Sequence, residues 1–353
     1  MSQAQPRKVI SPTEVGLKVG DRSSAVSELQ KYLTRFGYLP LNATLQERLD
    51  GIQTAPTTGE FDGETEQALR AYQAFHGIPI TGQLDEASVG QMAVARCGVP
   101  DIWNAAHLTF SHNRFVLSGR RWNDLNLNFA FENFTPDSRP RRIRNAVSAA
   151  FRTWSEVAPL RFHRNAVPSE DTEIRIRFAA GNHGDNNDFD GVGGTLAHGF
   201  YPPTNGVNDG GIAGDIHFDE AETWSTDPVV PADRYDLQTL ATHEIGHALG
   251  LQHSTEPGAI MWGSFSLGTP KRSLHQDDID GIQEIYTAGT QVPEVLEKRP
   301  AKAAADVRAA GLEPRFFGTI GPQSWVFSQS PRAGAVVEIG SRVNMTLRNG
   351  PRP

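Results

Sequence analysis

The chain has 353 residues, a formal charge of −8 at neutral pH, 38% hydrophobic residues and 21% charged residues. That length suits two or three domains with real cores. The composition excludes a disordered chain, and the acid excess argues against a nucleic-acid partner, which needs a basic field. The single cysteine, Cys97, permits no intrachain disulfide. No apolar run approaches the roughly 20 residues that cross a bilayer. The opening residues, MSQAQPRKVISPTE, lack the apolar stretch of a secretory signal. A soluble monomer held together by packing or by metal is expected.

Residues 17–97 read as a small helical domain. Val26, Leu29, Leu33 and Phe36 recur at helical spacing behind the capping candidates Asp21 and Ser23. Leu69, Tyr72 and Phe75 repeat the pattern, and a third short helix is predicted from Asp85 through Met92. Val19-Gly20-Asp21, Leu29-Gln30-x-x-Leu33, Gly37-Tyr38-Leu39, Tyr72-Gln73 and Gly77-Ile78 resemble a peptidoglycan-binding-like domain. Residues 98–121 then read as a tail and linker. Alternation at Leu125, Leu127, Phe129 and Phe131 predicts a strand, and an amphipathic helix is predicted over 141–157. Ile174, Ile176 and Phe178 predict a further strand. Helices are predicted at about 236–249 and 276–286. After Gln291 an Ala-rich helix and the strand Val343-x-Met345-x-Leu347 make a small α+β module over 291–350. Its Ser328-Gln329-Ser330-Pro331 and Gly340-Ser341-x-Val343 pieces resemble a PASTA domain.

Chemistry concentrates between these modules. His243 and His247 lie four apart, so a helix projects both imidazoles to one side, with Cβ atoms about 6 Å apart, in reach of one Zn²⁺. Glu244 stands beside that metal as a general base. Gly250 accepts φ > 0 and turns the chain so that His253 returns as a third ligand. Met261, eight residues on, resembles the Met-turn beneath the zinc of metzincins. Residues 181–233 hold ten Asp or Glu and no Lys or Arg. Within them His183, Asp185, His198 and His217 offer four ligands and no open position, as a structural zinc site does. Asp190, Gly191, Gly193, Thr195, Asp219 and Glu222 offer oxygen donors for one Ca²⁺. Glu173, Gly211, Ala213 and Asp215 offer them for a second. Two zinc and two calcium ions would offset the formal negative charge.

Together with Phe189-Asp190-Gly191, Leu196-Ala197-His198, Gly214-Asp215-x-His217-Phe218-Asp219 and Gln276-Asp277-Asp278-Ile279-x-Gly281-Ile282, these pieces resemble a matrixin over about 122–288. The resemblance implies an α+β multidomain chain whose catalytic domain is a twisted, mostly parallel sheet with helices and metal-binding loops. It implies a zinc metalloendopeptidase acting on extracellular proteins, with localisation outside the cell or at the cell wall. Arg96-Cys97-Gly98-Val99-Pro100-Asp101 resembles the matrixin cysteine switch, in which the thiolate fills the fourth zinc position. Arg96 and Asp101 would brace that loop, although Ala95 stands where the family has proline. Activation would then cut after Cys97, within 102–122, with Arg120-Arg121 as one option. The substrate would lie along Thr195, Leu196 and Ala197 by strand addition. The pocket wall would come from 262–275, where Trp262-Gly263-Ser264-Phe265 departs from the family's proline-containing wall. Asp277 and Asp278 read as helix caps or as receivers of the new N-terminus. Two other readings stay open: a zinc hydrolase of peptidoglycan peptide crosslinks, and a non-catalytic wall-binding protein.

Overall fold

The computed structural model describes residues 11–39, 57–102, 116–208, 211–286 and 289–351, and contains seven helices among them. The N-terminal helices α1 (Ser24–Arg35), α2 (Gly63–Phe75) and α3 (Glu86–Met92) each start on a side-chain cap. Ser23, Asp62 and Asp85 accept from the backbone N–H of Val26, Thr65 and Ser88 in turn. The apolar positions picked out by helical spacing meet in one core of Leu29, Leu33, Phe36, Leu69 and Tyr72, closed by Phe61 and Leu84. Two buried glutamines tie the loops down. Gln30 donates to Glu60 O and Thr65 Oγ1, and Gln73 donates to Gln83 O and Ser88 Oγ.

The central region is built on one six-stranded sheet. Its strands are β1 (Arg96–Cys97), β2 (Asn126–Phe131), β3 (Arg161–Arg164), β4 (Ile174–Ala179), β5 (Thr195–Gly199) and β6 (Ile216–Asp219). They lie in the order β3-β2-β4-β6-β5-β1. The first four are mutually parallel, whereas β5 pairs antiparallel to β6 and β1 runs parallel to β5. The sheet is therefore mostly parallel. Helix α4 (Pro140–Ser155) buries Ile143, Val147, Ala150, Phe151 and Trp154 against it. The short strands β7 (Trp224–Ser225) and β8 (Tyr235–Asp236) lead into α5 (Leu237–Ala248), and α6 (Gln276–Ile285) closes the region. Trp154 Nε1 donates to Thr242 O at 2.9 Å, which locks α4 onto α5.

Residues 116–122, expected at the end of a linker, are docked instead. Leu117 bridges Leu251 in antiparallel fashion. Gln252 N–H donates to Val116 O at 2.9 Å, and Ser118 N–H donates to Gly250 O at 3.0 Å. Trp122 is buried, with Nε1 donating to Ala248 O at 2.8 Å. Polar composition hid this, because the strap is held mainly by its backbone and one indole.

The C-terminal module comprises β9 (Gly289–Gln291), α7 (Pro300–Ala309), β10 (Glu313–Phe317), β11 (Ser324–Ser330), β12 (Val336–Glu338) and β13 (Arg342–Asn349). Strands β10, β13 and β11 form one sheet, and β12 and β9 form a ribbon. Val343, Met345 and Leu347 alternate inward, as their spacing predicts. The module touches the central region directly: Leu125 N–H donates to Val336 O at 2.8 Å, and Val336 joins the central core.

Candidate metal centres and active site

Helix α5 carries the first two histidines. Asp236 caps it by accepting from Thr239 N–H, and Arg272 grips the same carboxylate at 2.6 and 2.8 Å. The helix is buried almost all round, and His243, Glu244 and His247 are fully buried. Gly250 takes φ +110° and reverses the chain; a Cβ there would strike the carbonyl oxygen of Arg120. The turn delivers His253, also fully buried.

All three rings point their Nε2 atoms at one spot. His243 Nε2 lies 3.1 Å from His247 Nε2 and 3.2 Å from His253 Nε2. Their Nδ1 atoms are used elsewhere: His243 donates to Ile260 O at 2.7 Å and His247 to Leu251 O at 2.8 Å. His253 donates to Asp101 Oδ1 at 2.7 Å. A carbonyl accepts only, so Nδ1 carries the proton and each Nε2 presents a lone pair. Three lone pairs converging in a dry site need a cation between them. Burial, then the neighbouring imidazoles, hold His243 and His247 well below the ordinary histidine value, which keeps them neutral. The donor set fits zinc.

Cys97 completes the cluster: its sulfur and the three histidine nitrogens all lie within 4.8 Å of one another, all buried. Sγ is 3.5 Å from His247 Nε2 and donates toward Glu244 Oε2 at 3.5 Å. Burial, then the Glu244 carboxylate, push the thiol well above its ordinary value. A bound divalent ion reverses that sign by favouring thiolate. Glu244 itself is pushed up to about 8 by burial, and its Oε1 has no hydrogen-bond partner.

Residues 95–98 reach this point through strand β1. Arg96 N–H donates to Gly194 O and Gly98 N–H to Ala197 O, at 2.7 and 2.8 Å. On the other side Cys97 N–H donates to Gly263 O and Phe265 N–H to Ala95 O, at 3.0 and 2.9 Å. A Cβ on Gly98 would approach Thr195 Cγ2 to 2.7 Å, so this close fit requires glycine. Thr195, Leu196 and Ala197 thus line one wall, and Gly263–Phe265 the other. Arg96 Nη2 and Asp101 Oδ1 pair at 2.5 Å, both buried.

Below the histidines, Met261 touches the position a Cβ on Gly246 would occupy, so glycine in α5 lets the Met-turn close against the helix. Asp278 holds that turn. Its Oδ2 accepts from Ile260 N–H and its Oδ1 from Met261 N–H, while it also caps α6 through His275 N–H. Asp277 accepts from Ser254 Oγ at 2.5 Å, next to His253. The sequence pointed to capping for this pair. Their hold on the turn carried no sequence signal beyond acid at a helix start.

A second cluster joins His183, Asp185, His198 and His217. Asp185 Oδ2 lies 2.7 Å from His183 Nε2, 2.8 Å from His198 Nε2 and 2.7 Å from His217 Nδ1. His183 Nδ1 donates to Gly181 O, so its Nε2 lone pair faces the carboxylate. That contact too calls for a cation, and the three-nitrogen, one-oxygen set fits zinc. Burial brings His198 down to about 4 despite Asp185.

The oxygen-donor groups differ from each other. Glu222 Oε1 accepts from Gly193 N–H at 2.5 Å and Asp190 Oδ1 from Thr195 N–H at 2.9 Å. Asp219 Oδ2 is buried with no hydrogen-bond partner. Burial, then nearby carboxylates, raise Asp219 to about 6 and Glu222 to about 7. Crowded carboxylates with Gly191 and Gly193 at positive φ suit a hard cation. Glu173 and Asp215 each spend one oxygen on a backbone donor: Glu173 Oε2 accepts from Asn128 N–H and Asp215 Oδ1 from Arg175 N–H. Burial raises Asp215 to about 7. Gly211 and Ala213 lie in the turn just before Asp215.

A helix-borne histidine pair, a third histidine after a glycine turn, and a methionine turn beneath them, under a mostly parallel sheet, define the metzincin class. Residues 121–287 match the family model Matrixin, residues 22–92 that of a putative peptidoglycan binding domain, and residues 290–349 that of the PASTA domain. Residues 121–287 form a matrixin domain. Macrophage metalloelastase of Rattus norvegicus is 40% identical over 263 residues, 74% of this chain and 52% of its own. Interstitial collagenase of Sus scrofa is 37% identical over 284 residues, 78% of this chain and 54% of its own. Matrix metalloproteinase-16 of Mus musculus is 36% identical over 274 residues, 75% and 42% of the two chains. The chain spans about half the length of the curated relatives it matches.

Proposed function

We propose that this chain is a zinc metalloendopeptidase made as a latent zymogen, hydrolysing peptide bonds of extracellular proteins once its pro-segment is cut. The observation that carries this reading is the buried cluster of three imidazole Nε2 atoms and one thiol, with Glu244 touching the thiol. His243, His247 and His253 would hold a zinc ion, which would supply Lewis acidity for attack of water on the scissile carbonyl. Cys97 Sγ would close the site beside the three histidines in the latent form and be withdrawn on activation. Glu244 Oε2, 3.5 Å from the sulfur it loses, then accepts the proton of the attacking water and returns it to the leaving amine.

The cleft between Thr195–Ala197 and Gly263–Phe265 takes an extended peptide. Backbone groups now used by the pro-segment serve the substrate in its place. The cluster at His183, Asp185, His198 and His217 holds a structural zinc. Asp190, Asp219 and Glu222 hold a calcium, and Glu173 and Asp215 a second. The helical domain spans 17–97, the switch tail and activation linker 98–121, the catalytic domain 122–288 and the last module 291–350. The terminal modules contact peptidoglycan and place the enzyme outside the cell at the wall. Those modules also favour a second reading, hydrolysis of wall peptide crosslinks. Purified wall and protein substrates digested side by side separate the two.

The decisive test is Glu244→Ala in the activated enzyme. Zinc content is expected to stay unchanged while turnover of a peptide falls by about 10²–10⁴-fold. Retained turnover would overturn the general-base role.

A further inference from the structure

Release of the pro-segment takes away more than a thiol. His243 and His247 spend their Nδ1 protons on backbone carbonyls of the catalytic region, Ile260 and Leu251. His253 borrows its acceptor from the pro-segment: Nδ1 donates to Asp101 Oδ1 across 152 residues of sequence, with both side chains fully buried. The same carboxylate is the hub of the prodomain's attachment. Arg96 Nη2 donates to Oδ1 at 2.5 Å and Tyr38 Oη donates to Oδ2 at 2.8 Å, with His76 Nε2 3.6 Å from Oδ2. Asp101 N–H is fastened to Phe36 O at 3.1 Å. Paired with the buried Arg96 guanidinium and accepting from Tyr38 and His253, it is the anionic partner of the group.

An anionic acceptor on Nδ1 fixes the tautomer of a ligating imidazole and raises the basicity of its other nitrogen. Activation removes that acceptor along with the sulfur. We propose that Asp101 is a positioning residue for the third zinc ligand, so that prodomain and zinc hold each other, and the zymogen binds its catalytic zinc more tightly through Asp101 as well as through Cys97. By linkage, zinc tightens prodomain docking by the same factor. The inference rests on the zinc site of the proposed function.

The test is zinc competition against a chromogenic chelator on the full chain. The Cys97→Ser background removes any effect that passes through the thiol. There Asp101→Asn is expected to weaken the catalytic-site zinc by about 10–100-fold. Zinc at the His183, Asp185, His198 and His217 cluster stays unchanged, and Asp101→Glu restores part of the loss. Tyr38→Phe, which keeps the carboxylate and loses one of its Oδ2 contacts, should give a smaller loss in the same direction with circular dichroism unchanged; it decides the matter if Asp101→Asn does not fold. Unchanged catalytic-site affinity in a folded Asp101→Asn protein of the Cys97→Ser background would overturn the inference. So would equal weakening at both zinc clusters. A wild-type chain that takes up no zinc at His243, His247 and His253 would instead sink the functional reading beneath it.

Discussion

Replacing Cys97 by serine in the uncut chain removes the metal-binding sulfur and leaves the rest of the pro-segment in the cleft. Four backbone hydrogen bonds hold Ala95–Gly98 between the two walls. Each contributes about 0.5–1.5 kcal/mol net, so together they hold the strand by about 2–6 kcal/mol. The lower figure alone corresponds to about 30-fold. The buried Arg96–Asp101 pair adds to this, because an exit of the strand would have to break it or drag it out. Intact Cys97→Ser is thus expected to hydrolyse a peptide at least about 30-fold more slowly than the same protein after limited proteolysis of its pro-segment. The assay compares the two preparations at equal zinc content. Equal rates before and after cutting would refute the reasoning, and would mean that the sulfur alone accounts for latency.

Three further outcomes follow from the geometry. Asp219 rises in the fold from 3.8 to about 6 and Glu222 from 4.5 to about 7, burial first and nearby carboxylates second, so the calcium-free fold binds more protons than the unfolded chain in that window. Their contribution to stability is present below about pH 4 and is lost as pH rises to about 7. Glu222→Gln should therefore raise the calcium-free Tm relative to wild type at pH 7 but not at pH 4, and saturating calcium should reverse the order; an equal difference at both pH values would contradict this. Gly250→Ala places a Cβ at φ +110° against the Arg120 carbonyl and should cost about 1–3 kcal/mol, read as a lowered Tm, with unchanged melting counting against the strap. Val336→Asp puts a carboxylate into the central core from the C-terminal module. It should destabilise by about 1–3 kcal/mol, and an unaffected melt would show that the module does not brace the catalytic region.

The chemistry was far more legible in the sequence than its enclosure. His243 and His247 follow helical period, Gly250 announces the turn, and the second histidine cluster declares itself by donor type, so both metal groupings are read from one line of residues. Helices α1, α4 and α5 came through as apolar stripes or caps for the same reason. What escaped has no period. A strand of two residues, β1, carries no alternation, and it is held by backbone groups that every sequence offers. Asp101 meets His253, and Trp262 lies edge-on to His76 with ring centroids 5.4 Å apart, because two separately folded cores are pressed together. Strap residues 116–122 look like linker because only Leu117 and Trp122 pay the apolar toll there. Asp278 reads as a cap and is one, yet it also pins the methionine turn through two further N–H groups.

Strand β1 also bears on the enzyme after activation. With β1 in place β5 is an interior strand, buried along its whole length. The activation proposed above would turn it into a bare sheet edge with unspent N–H and C=O groups, the arrangement that lets chains stack on one another. The form that can receive a peptide is therefore also the form prone to pair with its own copies or to take a neighbour's loose end as food. On the proposed reading the uncut chain is thus the form suited to storage at high concentration, and the cut form is best kept dilute or supplied with peptide to fill its edge.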